Sequence, residues 1–255
     1  MKRLLLFLPP LLFTVSLLAQ RTAGEWADEA LAAAARSDEP AARAAYDSLL
    51  ARGYASPAVY LNLGNSHLRA GNKGEAVLAY ERGLKLAPGN GDLRESLRFA
   101  VSQLDENIRE VPGFFLLRWW RNLGALLGPG GAAILSLLFI WGGAYAFFLW
   151  WKRRAGRPRL RWGVLVAALS LIFGVLFFFL GTSRQAWLND HSRAVLIAPR
   201  AEIRVAPNVS STQEGSLSEG LRMTVIDEFG DGEWLKIRLD NGRQGWVRGD
   251  LVERI

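Results

Sequence analysis

Two long segments without a charged residue constrain this chain more than any other feature. Residues 131–151 and 162–181 contain no Asp, Glu, Lys, Arg or His. At about 1.5 Å of rise per residue, each can cross a hydrocarbon core about 30 Å thick as a helix. Tryptophans stand at their ends, where amphipathic rings favour the headgroup level. We therefore predict two transmembrane helices. They lack the ionisable residues that transport of ions or protons normally requires within the spans, so we expect them to serve as an anchor.

The loop between the two segments predicts their orientation. Residues 152–161 hold six cations and no acid, and a short basic loop stays on the cytoplasmic side of a membrane. The domains before and after the hairpin are then predicted to lie together on the periplasmic side of a bacterial inner membrane. The topology determinants are Lys152, Arg153, Arg154, Arg157, Arg159 and Arg161.

The same loop explains most of the net charge of +7. Lys2 and Arg3 contribute two further cations, and the rest of the chain is close to neutral. The basicity is thus a topology signal, without the clustered cations on a folded domain that nucleic-acid binding requires. Nucleic acid is not a predicted partner.

Residues 1–20 have the layout of a secretory signal peptide, with a basic start, an apolar run and a final Leu-Leu-Ala-Gln. Cleavage after Ala19 and retention as an anchor helix both remain open, and either places the next segment across the membrane. The chain contains no cysteine, which excludes disulfides, thiolate chemistry and a lipid anchor on cysteine.

Residues 111–128 mix aromatic and cationic side chains directly before the first span. Trp119 and Trp120 accompany Arg118 and Arg121. This composition favours a helix that lies in the plane of the membrane interface. A capping helix of the preceding domain is the alternative.

A helix–turn–helix pattern begins at Ser56. Two runs with helical periodicity flank the turn at residues 70–74. Gly64 and Ala76 have little side chain, so two helices can approach closely where these residues face each other. Pro88 ends the second run, since proline cannot donate to the helical hydrogen-bond ladder.

These positions resemble the tetratricopeptide repeat, whose pattern combines aromatic, Leu-Gly, Ala and Pro positions. The matching residues are Tyr60, Leu63, Gly64, His67, Ala76, Tyr80 and Pro88. One repeat cannot bury its own apolar faces, so neighbours are predicted. A shift of the frame by one period places Trp26, Ala42 and Tyr46 at matching positions, and residues 91–110 predict a closing helix. We predict an all-α repeat domain over residues 21–110.

The resemblance implies that partner proteins bind in a concave groove lined by the first helix of each repeat. The predicted groove residues are Leu61, Asn62, Asn65, Leu68 and Arg69. Asn62 and Asn65 match the asparagines of carboxylate-clamp repeats, but Ala27 and Asp92 replace the clamp lysines. Capture of a C-terminal carboxylate is therefore not expected. For Asn65 a helix-packing hydrogen bond is the alternative, and His67 is predicted to pack in the core rather than to bind metal.

Residues 193–255 change to the alternating period of β-strands. Five short runs are separated by turn clusters, and Asn241-Gly242 supplies the positive φ of a tight hairpin. Five short strands in so few residues predict a small all-β barrel.

The barrel segment resembles the bacterial SH3 family, with matching motifs at residues 203–207, 234–237 and 242–247. The resemblance implies an SH3-like barrel that binds cell-wall peptides or partner proteins. Phe229, Trp234 and Trp246 are the candidate groove residues, because aromatic side chains often line such surfaces. Core packing is the alternative for both tryptophans.

The sequence shows no pattern of a catalytic or metal site. His67 and His191 are the two histidines, and neither accompanies a nucleophile motif, a phosphate loop or a zinc signature. We predict a protein that is not an enzyme and needs no cofactor and no metal.

The order of signal peptide, repeats, spans and barrel resembles the BatE-like proteins of bacterial aerotolerance (Bat) operons. The residues that carry the resemblance are 63–65, 80–82, the two spans and 245–247. It implies an inner-membrane complex with a MoxR-type ATPase and with membrane proteins that contain von Willebrand A domains. The predicted function is a membrane-anchored scaffold for partner proteins. A tether whose barrel binds peptidoglycan is the alternative.

Overall fold

The structure is a computed structural model that describes residues 23–104, 114–152 and 161–255. The predicted signal peptide lies outside the described residues. So do four of the topology determinants, Arg153, Arg154, Arg157 and Arg159.

The N-terminal part is helical, and its helices pack as successive antiparallel pairs. The helices are α1 (Ala23–Ala35), α2 (Glu39–Ala51), α3 (Pro57–Arg69), α4 (Lys73–Leu86) and α5 (Gly91–Ser102). Local sequence fixes where they begin. The Asp38 carboxylate accepts a hydrogen bond from the Ala41 amide, and the Ser56 hydroxyl accepts one from the Val59 amide, both at 3.2 Å. A proline follows each of these caps within the first helical turn, where its missing amide costs nothing.

The predicted close approach of α3 and α4 is present. A Cβ atom added to Gly64 would lie 2.4 Å from Cε1 of Tyr80, whose side chain is fully buried. Ala76 is fully buried as well. Ala42 and Tyr46 are buried in the core of the preceding helix pair, as the shifted repeat frame predicts.

Two long apolar helices follow the repeats: α6 (Phe115–Lys152) and α7 (Arg161–Asn189). Gly128, with φ +66°, interrupts α6 and separates a first half from an apolar second half that begins at Pro129. The second half packs antiparallel to α7. Ser136 Oγ donates to the Gly174 carbonyl at 2.8 Å, and Ser170 Oγ donates to the Phe139 carbonyl at 2.6 Å. Both helices are long and apolar enough to cross a membrane, and their small residues at the contact are typical of membrane helix pairs.

The C-terminal part is an antiparallel sheet in the order β3-β2-β6-β5-β4-β1-β7. The strands are β1 (Arg193–Leu196), β2 (Arg200–Arg204), β3 (Gln213–Ser218), β4 (Arg222–Phe229), β5 (Trp234–Arg238), β6 (Gln244–Arg248) and β7 (Val252–Arg254). The five predicted runs correspond to β1, β2, β4, β5 and β6. The two strands that the sequence pattern missed are β3, which is polar around Gly215, and β7, which is three residues long. Neither shows the apolar alternation that reveals a strand.

The barrel packs directly against the repeats. Val195 of β1 and the C-terminal Ile255 are buried in the same apolar cluster as residues of α4 and α5, and Ile197 packs against it. The repeats and the barrel therefore share a continuous core. This contact places the barrel on α4 and α5, beside the end of α7.

Candidate binding surfaces

A polar cavity of about 280 Å³ opens between the first helices of the repeat domain. It contains Asn62, Asn65 and Arg69, three of the five predicted groove residues. The other predicted residues, Leu61 and Leu68, pack against the apolar cluster of α4 and α5. The full lining is Leu31, Ala34, Ser37, Glu39, Tyr46, Asn62, Asn65 and Arg69. We call this cavity the repeat groove.

Glu39 and Arg69 hold each other in place within the groove. The Arg69 guanidinium donates from Nε and Nη2 to the two carboxylate oxygens of Glu39, the second contact at 3.1 Å. Ser66 donates its hydroxyl to the same carboxylate. The hydrogen bonds from Arg69 and Ser66 lower the pKa of Glu39. The groove thus presents a preorganised pair of opposite charges and has little net charge from these two groups.

Asn65 takes part in helix packing. Its carboxamide oxygen accepts a hydrogen bond from the Tyr80 hydroxyl at 2.8 Å. Burial raises the pKa of Tyr80 to about 12, so the hydroxyl remains a donor at neutral pH. The structure therefore supports the packing alternative for Asn65. Leu31, which the sequence analysis did not select, lines the groove with half of its surface exposed.

His67 is partly buried between the repeat helices. Burial lowers its pKa to about 4, and the nearby charge of Arg43 acts in the same direction. The imidazole is therefore neutral at pH 7, which agrees with the predicted packing role. In the described part of the chain, no group of three or more His, Cys, Asp or Glu residues is arranged to hold a metal ion.

The three aromatic candidates of the barrel lie on one face of the sheet. Phe229 pairs with Trp234, and Trp246 pairs with Lys236, so all four alternate with the core residues of their strands. Trp234 is only 4% exposed, whereas Phe229 is 57% exposed. Lys236 Nζ lies 6.0 Å from the ring of the partly buried Trp246. A ligand on this face would thus meet Phe229, Trp246 and Lys236, whereas Trp234 is almost fully buried.

A buried carboxylate joins the barrel to the repeats. Glu81 of α4 is 4% exposed and accepts hydrogen bonds from Arg193 at 3.1 Å and from Arg222 at 3.0 Å. On the other side of the contact, the Gly74 amide donates to the Glu219 carboxylate at 2.7 Å. Sequence reasoning did not find this junction, because the partners of Glu81 are more than 100 residues away and no motif links them.

Comparison with known protein families supports both domain assignments. Residues 57–90 match the tetratricopeptide repeat, and residues 199–253 match the bacterial SH3 domain. No curated protein matches the chain. The predicted fold class is confirmed: helical repeats, two apolar helices that could span a membrane, and a C-terminal all-β domain. Both families consist mainly of binding modules. The repeat match indicates protein–protein interaction, and the SH3 match indicates binding to the cell wall.

Proposed function

We propose that the chain is a membrane-anchored, non-catalytic scaffold that holds a partner protein in the repeat groove. The observation that carries this proposal is the arrangement of the two modules. The barrel covers part of α4 and α5, whereas the groove between α1, α2 and α3 stays open. A binding surface that remains open after both modules have packed together is available to another protein.

The contact between the modules also supports a common side of the membrane. Two domains that share the Glu81 junction must lie on the same side. A hairpin of two spans returns the chain to the side from which it came, so the topology agrees with the contact. The basic segment 152–161 then favours the outer, periplasmic side of a bacterial inner membrane for both modules.

The resemblance to BatE-like proteins suggests the class of partner. We propose that the groove binds a membrane protein with a von Willebrand A domain, within a Bat-type complex linked to stress or oxygen tolerance. The groove suits a peptide segment with one apolar side chain and several backbone polar groups. Leu31 supplies an exposed apolar contact, and Asn62 offers an amide that can both donate and accept.

A photoreactive amino acid in place of Leu31 tests this proposal in intact membranes. We expect it to crosslink one defined protein, because position 31 lies in the groove. The same substitution at Tyr54, which is 45% exposed in the same domain but outside the groove lining, is the matched control and is expected to give little product. Asn62→Arg in the Leu31-labelled chain should reduce the yield at least about fivefold, which corresponds to about 1 kcal/mol of lost binding. Equal yields at positions 31 and 54 would contradict the groove.

The second candidate function is a tether to peptidoglycan. Exposed Phe229 beside Trp246 and Lys236 provides an aromatic surface for a cell-wall ligand. Phe229→Ser separates the two functions, because Phe229 belongs to β4 of the barrel and the groove is lined by residues of the repeat domain. If the barrel binds peptidoglycan, the Phe229→Ser variant should lose retention on isolated peptidoglycan, and the crosslink at position 31 should be unchanged. If it does not, neither the unsubstituted protein nor the variant should be retained.

A further inference from the structure

Two cavities meet where the repeats, the barrel and the apolar helices converge. The larger has a volume of about 570 Å³ and the smaller about 210 Å³. Arg121 of α6 and Trp187 of α7 line both. Arg121 precedes the charge-free segment 131–151 by ten residues, and Trp187 follows the segment 162–181 by six. The joint cavity therefore lies at the level where the apolar helices reach the folded domains.

The larger cavity is strongly cationic. Six cationic side chains and two carboxylates line it. One carboxylate, Glu81, is already shared by Arg193 and Arg222. Arg118 and Arg121 have no carboxylate partner among the described residues. The cavity thus retains positive charge that the described side chains do not neutralise, and it can accept an anion.

The smaller cavity is mainly apolar. Leu117, Trp120 and Gly124 line it together with the two shared residues, and Ser183 and Arg184 complete the lining. The Arg121 guanidinium lies 4.9 Å from the centre of the Trp187 ring. Arg121 and Trp187 thus join the cationic cavity to the apolar one.

We propose that this joint cavity binds an anionic glycerophospholipid. The phosphate lies between Arg118 and Arg121, where guanidinium groups make strong charge-assisted hydrogen bonds to phosphate oxygens. An acyl chain enters the apolar cavity beside Trp120 and Leu117. Basic pockets beside membrane helices are suited to anionic headgroups. The bound lipid would join the anchor to both folded modules. The site shares no residue with the repeat groove, so its existence does not depend on which partner the groove binds.

Native mass spectrometry of the full chain in detergent tests the site. Phosphatidylglycerol and phosphatidylcholine are the probes, since they have similar acyl chains and differ in headgroup charge. We expect phosphatidylglycerol to bind at least about tenfold more tightly. Arg118→Gln with Arg121→Gln should remove most of this preference, because two charge-assisted contacts are lost. The control pair, Arg36→Gln with Arg200→Gln, removes the same charge from exposed positions outside both cavities and should change the preference less than twofold.

Three results would overturn the proposal. The first is equal binding of both lipids, and the second is an unchanged preference in the Arg118/Arg121 variant. The third is displacement of phosphatidylglycerol by millimolar inorganic phosphate, which would identify a site for soluble anions.

Discussion

Replacing Glu81 by Gln is expected to weaken the contact between the barrel and the repeat array. The carboxylate is 4% exposed and neutralises two guanidinium groups from β1 and β4. Without its charge, Arg222, whose side chain is 13% exposed, keeps a buried positive charge with weaker compensation. Loss of one partner of a buried ion pair typically costs about 3 to 5 kcal/mol. We expect a loss of about 3 kcal/mol, since Arg193 is more exposed and regains water.

Hydrogen exchange of the full chain measures this effect. In Glu81→Gln, the amides of β1 and of α4 should exchange faster by two or more orders of magnitude, as a loss of about 3 kcal/mol requires. Glu253→Gln is the matched control, because Glu253 joins Arg82 across the same contact at 2.8 Å but is 46% exposed. An exposed pair contributes about 1 kcal/mol or less. Similar exchange in both variants would show that Glu81 does not hold the modules together.

Replacing Gly64 by Ala is expected to destabilise the repeat domain by about 2 to 3 kcal/mol. The new methyl group would lie 2.4 Å from the Tyr80 ring, whose side chain is fully buried and donates to Asn65. Neither the ring nor helix α4 can move away without loss of packing elsewhere. Overpacking of this kind typically costs about 1 to 3 kcal/mol, and the strained hydrogen bond to Asn65 adds to the cost.

Thermal unfolding followed by circular dichroism measures the change. Gly91→Ala is the control, because an added Cβ at this helical position meets no atom within 4 Å. We expect Gly91→Ala to leave the midpoint unchanged or to raise it slightly, since Ala favours the helix over Gly. A midpoint for Gly64→Ala equal to that of the control would mean that α3 and α4 do not approach as closely as the structure shows.

The repeat and the barrel could be predicted because their signals are local. Gly64, Ala76 and Tyr80 lie in one stretch of sequence, and their spacing is set by the crossing of two consecutive helices. The hairpin at Asn241-Gly242 follows from backbone preference in the same way. Such patterns need no knowledge of distant residues, and family comparison confirms both domains.

The contacts between modules could not be predicted by the same reasoning. In the sequence, nothing distinguishes Glu81 from other charged residues on a helix. Only the fold brings Arg193 and Arg222 into contact with it. Family position predicts Leu61 and Leu68 in the groove, but in this chain they pack against the cluster that also contains Val195 of the barrel. A neighbouring module thus changes which helix positions remain open, and a single repeat pattern does not contain that information.

Single-cysteine labelling tests whether both modules lie on the outer side of the membrane. The chain contains no cysteine, so Tyr54→Cys, Ser210→Cys and Ala155→Cys each report one segment without background. In intact spheroplasts, a membrane-impermeant maleimide should label positions 54 and 210 and should label position 155 only after permeabilisation. Labelling of position 155 in intact spheroplasts, or protection of either position 54 or position 210, would rule out a common outer location of the two modules.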